Sequence, residues 1–195
     1  MQQEQRYSFR TGLWGRYLSP ELENIRQKVE RLTQGWAESD WRLAPAGKWT
    51  SGQILEHLRL TFTATTRAVR NVMEAGRPLG GKPSLGDRWR MFWVTKLGLN
   101  QSGRVAPRQI VPKESLGMDS MGHFYDALVA LDTTLTDAER RFGGRVTLLD
   151  HPFLGPLTAR QWRQFHRTHA RHHLKQIARR KRQAHSGPAD ARSSP

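Results

Sequence analysis

Apolar residues return at helical spacing in four stretches of the chain, each bounded by residues that start or stop helices. The first is predicted over Pro20 to Trp36, where Leu22, Ile25, Val29 and Leu32 recur three and four apart. Ser19 stands at its cap position, Pro20 at its first helical position and Gly35 near its end. The second starts at Thr50, where Thr50-Ser51-Gly52-Gln53 fits a capping box and Trp49 with Ile54 fits a hydrophobic staple. Its stripe of Ile54, Leu58, Thr61, Ala68 and Val72 ends near Gly76.

The third stretch, Asp119 to Phe142, carries Phe124, Leu128, Leu131 and Leu135 and is stopped by Gly143-Gly144. The fourth opens at Thr158 with a second box, Thr158 to Gln161, stapled by Leu157 and Trp162. No run with strand period competes. The pattern predicts an all-α four-helix bundle, in which ligand sites lie between facing helices. Its one long connection, Arg77 to Pro112, is rich in Gly and Pro and contains a short aromatic helix, Asp87 to Leu97, suited to packing, a lid or a side wall.

Composition refines this picture. With 36% hydrophobic residues, seven Trp and seven Phe in 195 residues, a folded core is feasible and wholesale disorder is not expected. One bundle domain is expected over 1–178. Residues 179–195 read as a fraying helix end followed by a basic, disordered tail, with Arg179, Arg180, Lys181, Arg182 and Arg192 against Asp190. No Cys is present, so disulfides, thiolate nucleophiles, zinc fingers and iron–sulfur ligation are excluded. No apolar run approaches the roughly 20 residues of a membrane span, nor the core of a signal peptide, and the expected location is the cytoplasm.

Chemistry concentrates in the histidines. Four of the eight fall between His166 and His173. At 100° per residue, His173 lies about 40° and His166 about 60° to one side of His169, with Gln176 about 20° to the other. His172 sits at the border of that face. Arg163, Arg167, Arg171, Lys175 and Arg179 form a ridge opposite it, expected to be a solvated face, so the His face points inward. An inward i, i+4 pair lets two imidazoles meet one metal ion, and His57, within the stripe of the second helix, is the best third ligand. Three neutral imidazoles leave coordination positions free, as catalytic sites do, and suit Zn or Ni first, with Fe, Mn or Co as alternatives.

Three segments in order, Trp49 to Leu58 (WTSGQILEHL), His151 to Thr158 (HPFLGPLT) and His169 to Ile177 (HARHHLKQI), resemble the DinB-like superfamily. The HPFLGPLT segment looks like a branch of it known only as a domain of unknown function. The resemblance implies a four-helix bundle holding one divalent metal through His57, His169 and His173. It further implies a small-molecule substrate, with a low-molecular-weight thiol as one class, a homodimer, and transferase or hydrolase chemistry.

Glu56, Asp150 and His166 are the candidates for proton transfer or for orienting ligands. A competing expectation rests on charge. The 32 Lys and Arg against 17 Asp and Glu give +15 and a pI of about 11.3. These fit weak binding of nucleic acid or another polyanion without catalysis.

Overall fold

In the computed structural model, which describes residues 18–97 and 108–185, both reciprocal caps form as their sequences dictate. The Thr50 amide donates to Gln53 Oε1 at 2.8 Å and the Gln53 amide returns to Thr50 Oγ1 at 3.1 Å. Thr158 and Gln161 repeat the exchange at 2.9 and 3.3 Å. The elements in order are α1 (Pro20–Thr33), α2 (Glu38–Trp41), α3 (Ser51–Glu74), α4 (Leu85–Leu97), α5 (Met121–Phe142), β1 (Thr147–His151), β2 (Gly155–Thr158) and α6 (Ala159–His185). Two 3₁₀ turns, Arg108–Ile110 and Met118–Ser120, precede α5.

The four long helices share one core: α3 packs along α5, α1 along α6, and α6 also touches α3 and α5. Leu22, Ile25 and Val29 from α1 meet Leu55, Leu58 and Phe62 from α3 and Phe124, Leu128 and Leu131 from α5, all at or below 1% exposure. The fully buried Phe62 and Phe124 rings meet edge to face at 5.5 Å. Burying such side chains is the main favourable term in folding.

Several expectations need correction. The chain is not purely helical, because β1 and β2 form an antiparallel hairpin between α5 and α6. Both strands are short, a bulge interrupts their register between Thr147 and Leu149, and Pro and Gly fall inside the segment, so no alternation is visible in it. Gly155, at φ +72°, makes the re-entry into β2. His151 Nδ1 accepts the Phe153 and Leu154 amides at 3.1 and 3.3 Å and so pins the turn.

Helix α1 ends at Thr33, short of Trp36, and Ser19 does not cap it with its side chain. The Ser19 amide instead donates to Asp132 Oδ2. Helix α4 starts two residues early because Ser84 and Asp87 cap each other reciprocally. Helix α6 runs on to His185, through the stretch expected to be its fraying end, and there the Arg180 guanidinium donates to the Trp49 carbonyl at 2.5 Å. The remainder of the expected tail, 186–195, lies outside the described residues. Among the described residues, no helix is long and apolar enough to cross a membrane.

A candidate metal centre of three histidines

Helix α3 carries His57 two turns in from its cap, and α6 carries His169 and His173 on successive turns. These are the three residues whose ligand atoms converge, all within 4.8 Å of one another, from partners 112 positions apart in the chain. His169 Nε2 lies 3.1 Å from His173 Nε2 and 3.4 Å from His57 Nε2.

The second nitrogen of two rings is already committed. His57 Nδ1 stands 2.7 Å from the Ile110 carbonyl, which only accepts, so Nδ1 holds the proton and Nε2 keeps its lone pair. His173 Nδ1 donates to Gln176 Oε1 at 3.1 Å, and the amide of Gln176 donates on to His172 Nε2 at 2.9 Å. His169 is stacked on Phe165, nearly parallel at 5.5 Å, and its Nδ1 is buried with no hydrogen-bond partner among the described residues.

Burial pushes all three imidazoles toward the neutral form. It lowers His57 against the opposing bond to Ile110, takes His173 down to about 3 with the neighbouring His57 adding to it, and holds His169 well below the usual value. The arrangement therefore gathers three neutral rings whose Nε2 atoms face one point, with the Nε2 lone pairs of His57 and His173 left bare by the bonds at their Nδ1 atoms. With the His169 proton on Nδ1, three lone pairs meet there with no proton among them, which a cation satisfies. Nitrogens bound at about 2.0–2.1 Å stand about 3.3–3.4 Å apart around a tetrahedral centre and about 2.9 Å apart around an octahedral one. The two shorter separations here fall within that span.

The other candidates lie elsewhere. His166 is fully buried one turn from His169 and bonds Thr65 Oγ1 at 3.1 Å. Its pKa is pushed to about 3 by burial first and by His151 second. Glu56 is held by Arg59 in a two-bond ion pair at 2.6 and 2.7 Å. Asp150 is exposed on β1 and accepts the Gly81 amide at 3.0 Å. None of these three is hydrogen-bonded to the converging rings.

The basic ridge is also partly redrawn. Arg167, Arg171, Lys175 and Arg179 are exposed as expected, but Arg163 is buried and paired with Asp132 and Glu139. Sequence reasoning placed Gln176 on the His face without giving it a role, and it missed Ile110. The i+3 spacing of Gln176 from His173 was a visible signal. Ile110 acts through its carbonyl, which no side-chain pattern marks.

Residues 88–180 match the model of a family described as "Protein of unknown function (DUF1569)". The match takes in the hairpin, His169 and His173, and leaves His57 and α3 outside it. No curated protein matches the chain, and no solved structure does.

Proposed function

We propose that the chain is a DinB-like, divalent-metal-dependent enzyme whose metal is held by Nε2 of His57, His169 and His173. The observation that carries this reading is the convergence of three Nε2 atoms with two of the Nδ1 atoms committed to Ile110 and Gln176. Ligating histidines are typically oriented in this way, the far N–H being given to a carbonyl or amide oxygen. When bound, the metal lowers the pKa of a coordinated water or thiol and so supplies a nucleophile at neutral pH.

The chain's own part is to keep three imidazoles neutral, aim them, and shield one side. Trp49, with its ring 5.0 Å from that of His57, and Phe165, stacked on His169, are the aromatic walls. Having no Cys, the chain relies on its substrate for any thiol, and a small-thiol-dependent transfer or a hydrolysis on a small molecule, in a homodimer, completes the reading.

Metal content by inductively coupled plasma mass spectrometry tests it, on tag-free wild type beside His57→Ala, His169→Ala, His173→Ala and His166→Ala. The expected result is about one ion per chain, lost in the first three and kept in the fourth. A folded wild type that takes up neither Zn nor Ni overturns it. A second reading, polyanion binding, is favoured by the exposed Arg167, Arg171, Lys175 and Arg179, for which no acidic partner occurs among the described residues. It requires affinity that falls steeply with salt and ignores chelator.

A further inference from the structure

Away from the histidines, the hairpin, the start of α6, helix α4 and the loop before it enclose an open cleft of about 460 Å³. From the cleft edge at Gln161 to His169 is eight residues of α6, about 12 Å of axis. Trp162, Phe165 and His166 occupy the intervening turns.

The lining of this cleft is divided. Met91, Leu154, Pro156 and Leu157 are buried beneath it and give an apolar floor. Lys82, Arg88 and Arg145 stand exposed around it, and their side chains make no ion pair or hydrogen bond among the described residues. One acid, Asp87, also lines it. That carboxylate is already engaged by Ser84 and Arg90 and held below its usual pKa by those contacts. Three separate segments thus bring three cations to the rim of one concavity, where their summed positive field favours an anionic group.

We propose that this cleft is a second ligand site, distinct from the metal centre, for a small molecule with an apolar body and one anionic head, a phosphate monoester or a carboxylate. The volume falls within the range of small-ligand sites, and the apolar floor with a few charged groups is their usual chemistry. Arg88 and Arg145 supply the forked donors that carboxylate and phosphate oxygens accept, and Lys82 adds a point charge. The floor distinguishes this site from a merely basic surface, because inorganic anions gain nothing from it.

Calorimetric titration of the full chain with phenyl phosphate, benzoate, inorganic phosphate and benzyl alcohol tests the assignment. The wild type is expected to bind phenyl phosphate or benzoate, whichever of the two is tighter naming the head group. Binding of inorganic phosphate and of benzyl alcohol is expected to be at least about tenfold weaker. The double substitution Arg88→Gln/Arg145→Gln, at exposed positions that leave the core untouched, is expected to weaken the tighter ligand at least about tenfold. His57→Ala is expected to leave that binding unchanged, so failure of the metal reading does not touch this one. No binding at millimolar ligand, binding that survives the double substitution, inorganic phosphate binding as tightly as phenyl phosphate, or loss with His57→Ala would each overturn it.

Discussion

Arg163 Nε donates to Asp132 Oδ1 at 2.8 Å with both side chains buried, tying α6 to α5. The same guanidinium reaches Glu139 at 2.7 Å and Thr136 at 2.8 Å, while the other oxygen of Asp132 takes the Ser19 amide at the start of α1. Three helices therefore meet on one carboxylate and one guanidinium.

A buried pair of this kind is costly to break from one side. Arg163→Met is expected to destabilise by about 3–5 kcal/mol, because Asp132 is left charged and largely unpaired. Adding Asp132→Leu is expected to recover part of that loss, so urea unfolding of the two singles and the double should be clearly non-additive. Strict additivity would show that the pair does not act as a unit.

Gln176 links His173 to His172 through both ends of its amide. If His173 is a metal ligand, Gln176→Leu removes the acceptor that fixes its tautomer without removing the ligand. The expected result is an about 10–100-fold weaker zinc affinity in competition with a chromophoric chelator. Unchanged affinity would dismiss Gln176 as a positioning residue.

The carbonyl of Ile110 reaches His57 because the segment after it is drawn tightly onto the start of α3. The Leu116 amide donates to the Gly52 carbonyl at 3.2 Å, and a Cβ on Gly52 would stand 2.2 Å from the Leu116 oxygen. Gly52→Ala is therefore expected to cost about 1–3 kcal/mol in thermal unfolding and, if the three histidines hold a metal, to weaken its uptake as Ile110 shifts. Gly122→Ala, with open space around it on α5, is the control and should be neutral or slightly stabilising. Equal effects at the two glycines would refute the close-approach argument.

His151 has a pKa pushed down to about 4 by burial, and its Nδ1 is an acceptor for two amides, so only the neutral ring fits the turn. Because its folded pKa lies below its unfolded value near 6.5, the unfolded chain binds more protons between those values. Its contribution is then complete above about pH 6.5 and is lost as pH falls toward 4, with an upper bound of about 3 kcal/mol. His151→Asn keeps an acceptor and cannot titrate. The stability difference between wild type and this variant should shift in favour of the variant between pH 7 and pH 4.5. A difference that stays flat would remove His151 from the acid response.

Much of this protein could be read locally. The periodicity of Ile54 and Leu58, or of Phe124, Leu128 and Leu131, together with the boxes at Thr50 and Thr158, depends on residues within one or two turns of each other, and those helices form where their neighbours direct. The facing of His169 and His173 is equally local, since an i, i+4 spacing places two rings together on any α-helix. The sequence also nominated His57, from its place in an apolar stripe.

Tertiary structure alone decided the rest. An i+4 ridge puts Arg163 in line with Arg167 and Arg171, and only the position of α5 turns the first inward onto Asp132 while the others face water. The hairpin depends on pairing Asp150 with Pro156 and His151 with Gly155 across a turn that a half-buried histidine holds, not on any alternation of side chains. Backbone groups carry no residue identity, so Ile110 as the partner of His57 and Leu116 as the partner of Gly52 could emerge only once the chain was folded. Helical periodicity and capping are written in near neighbours, whereas burial of a charge, closure of a hairpin and the convergence of three rings depend on which distant segment arrives.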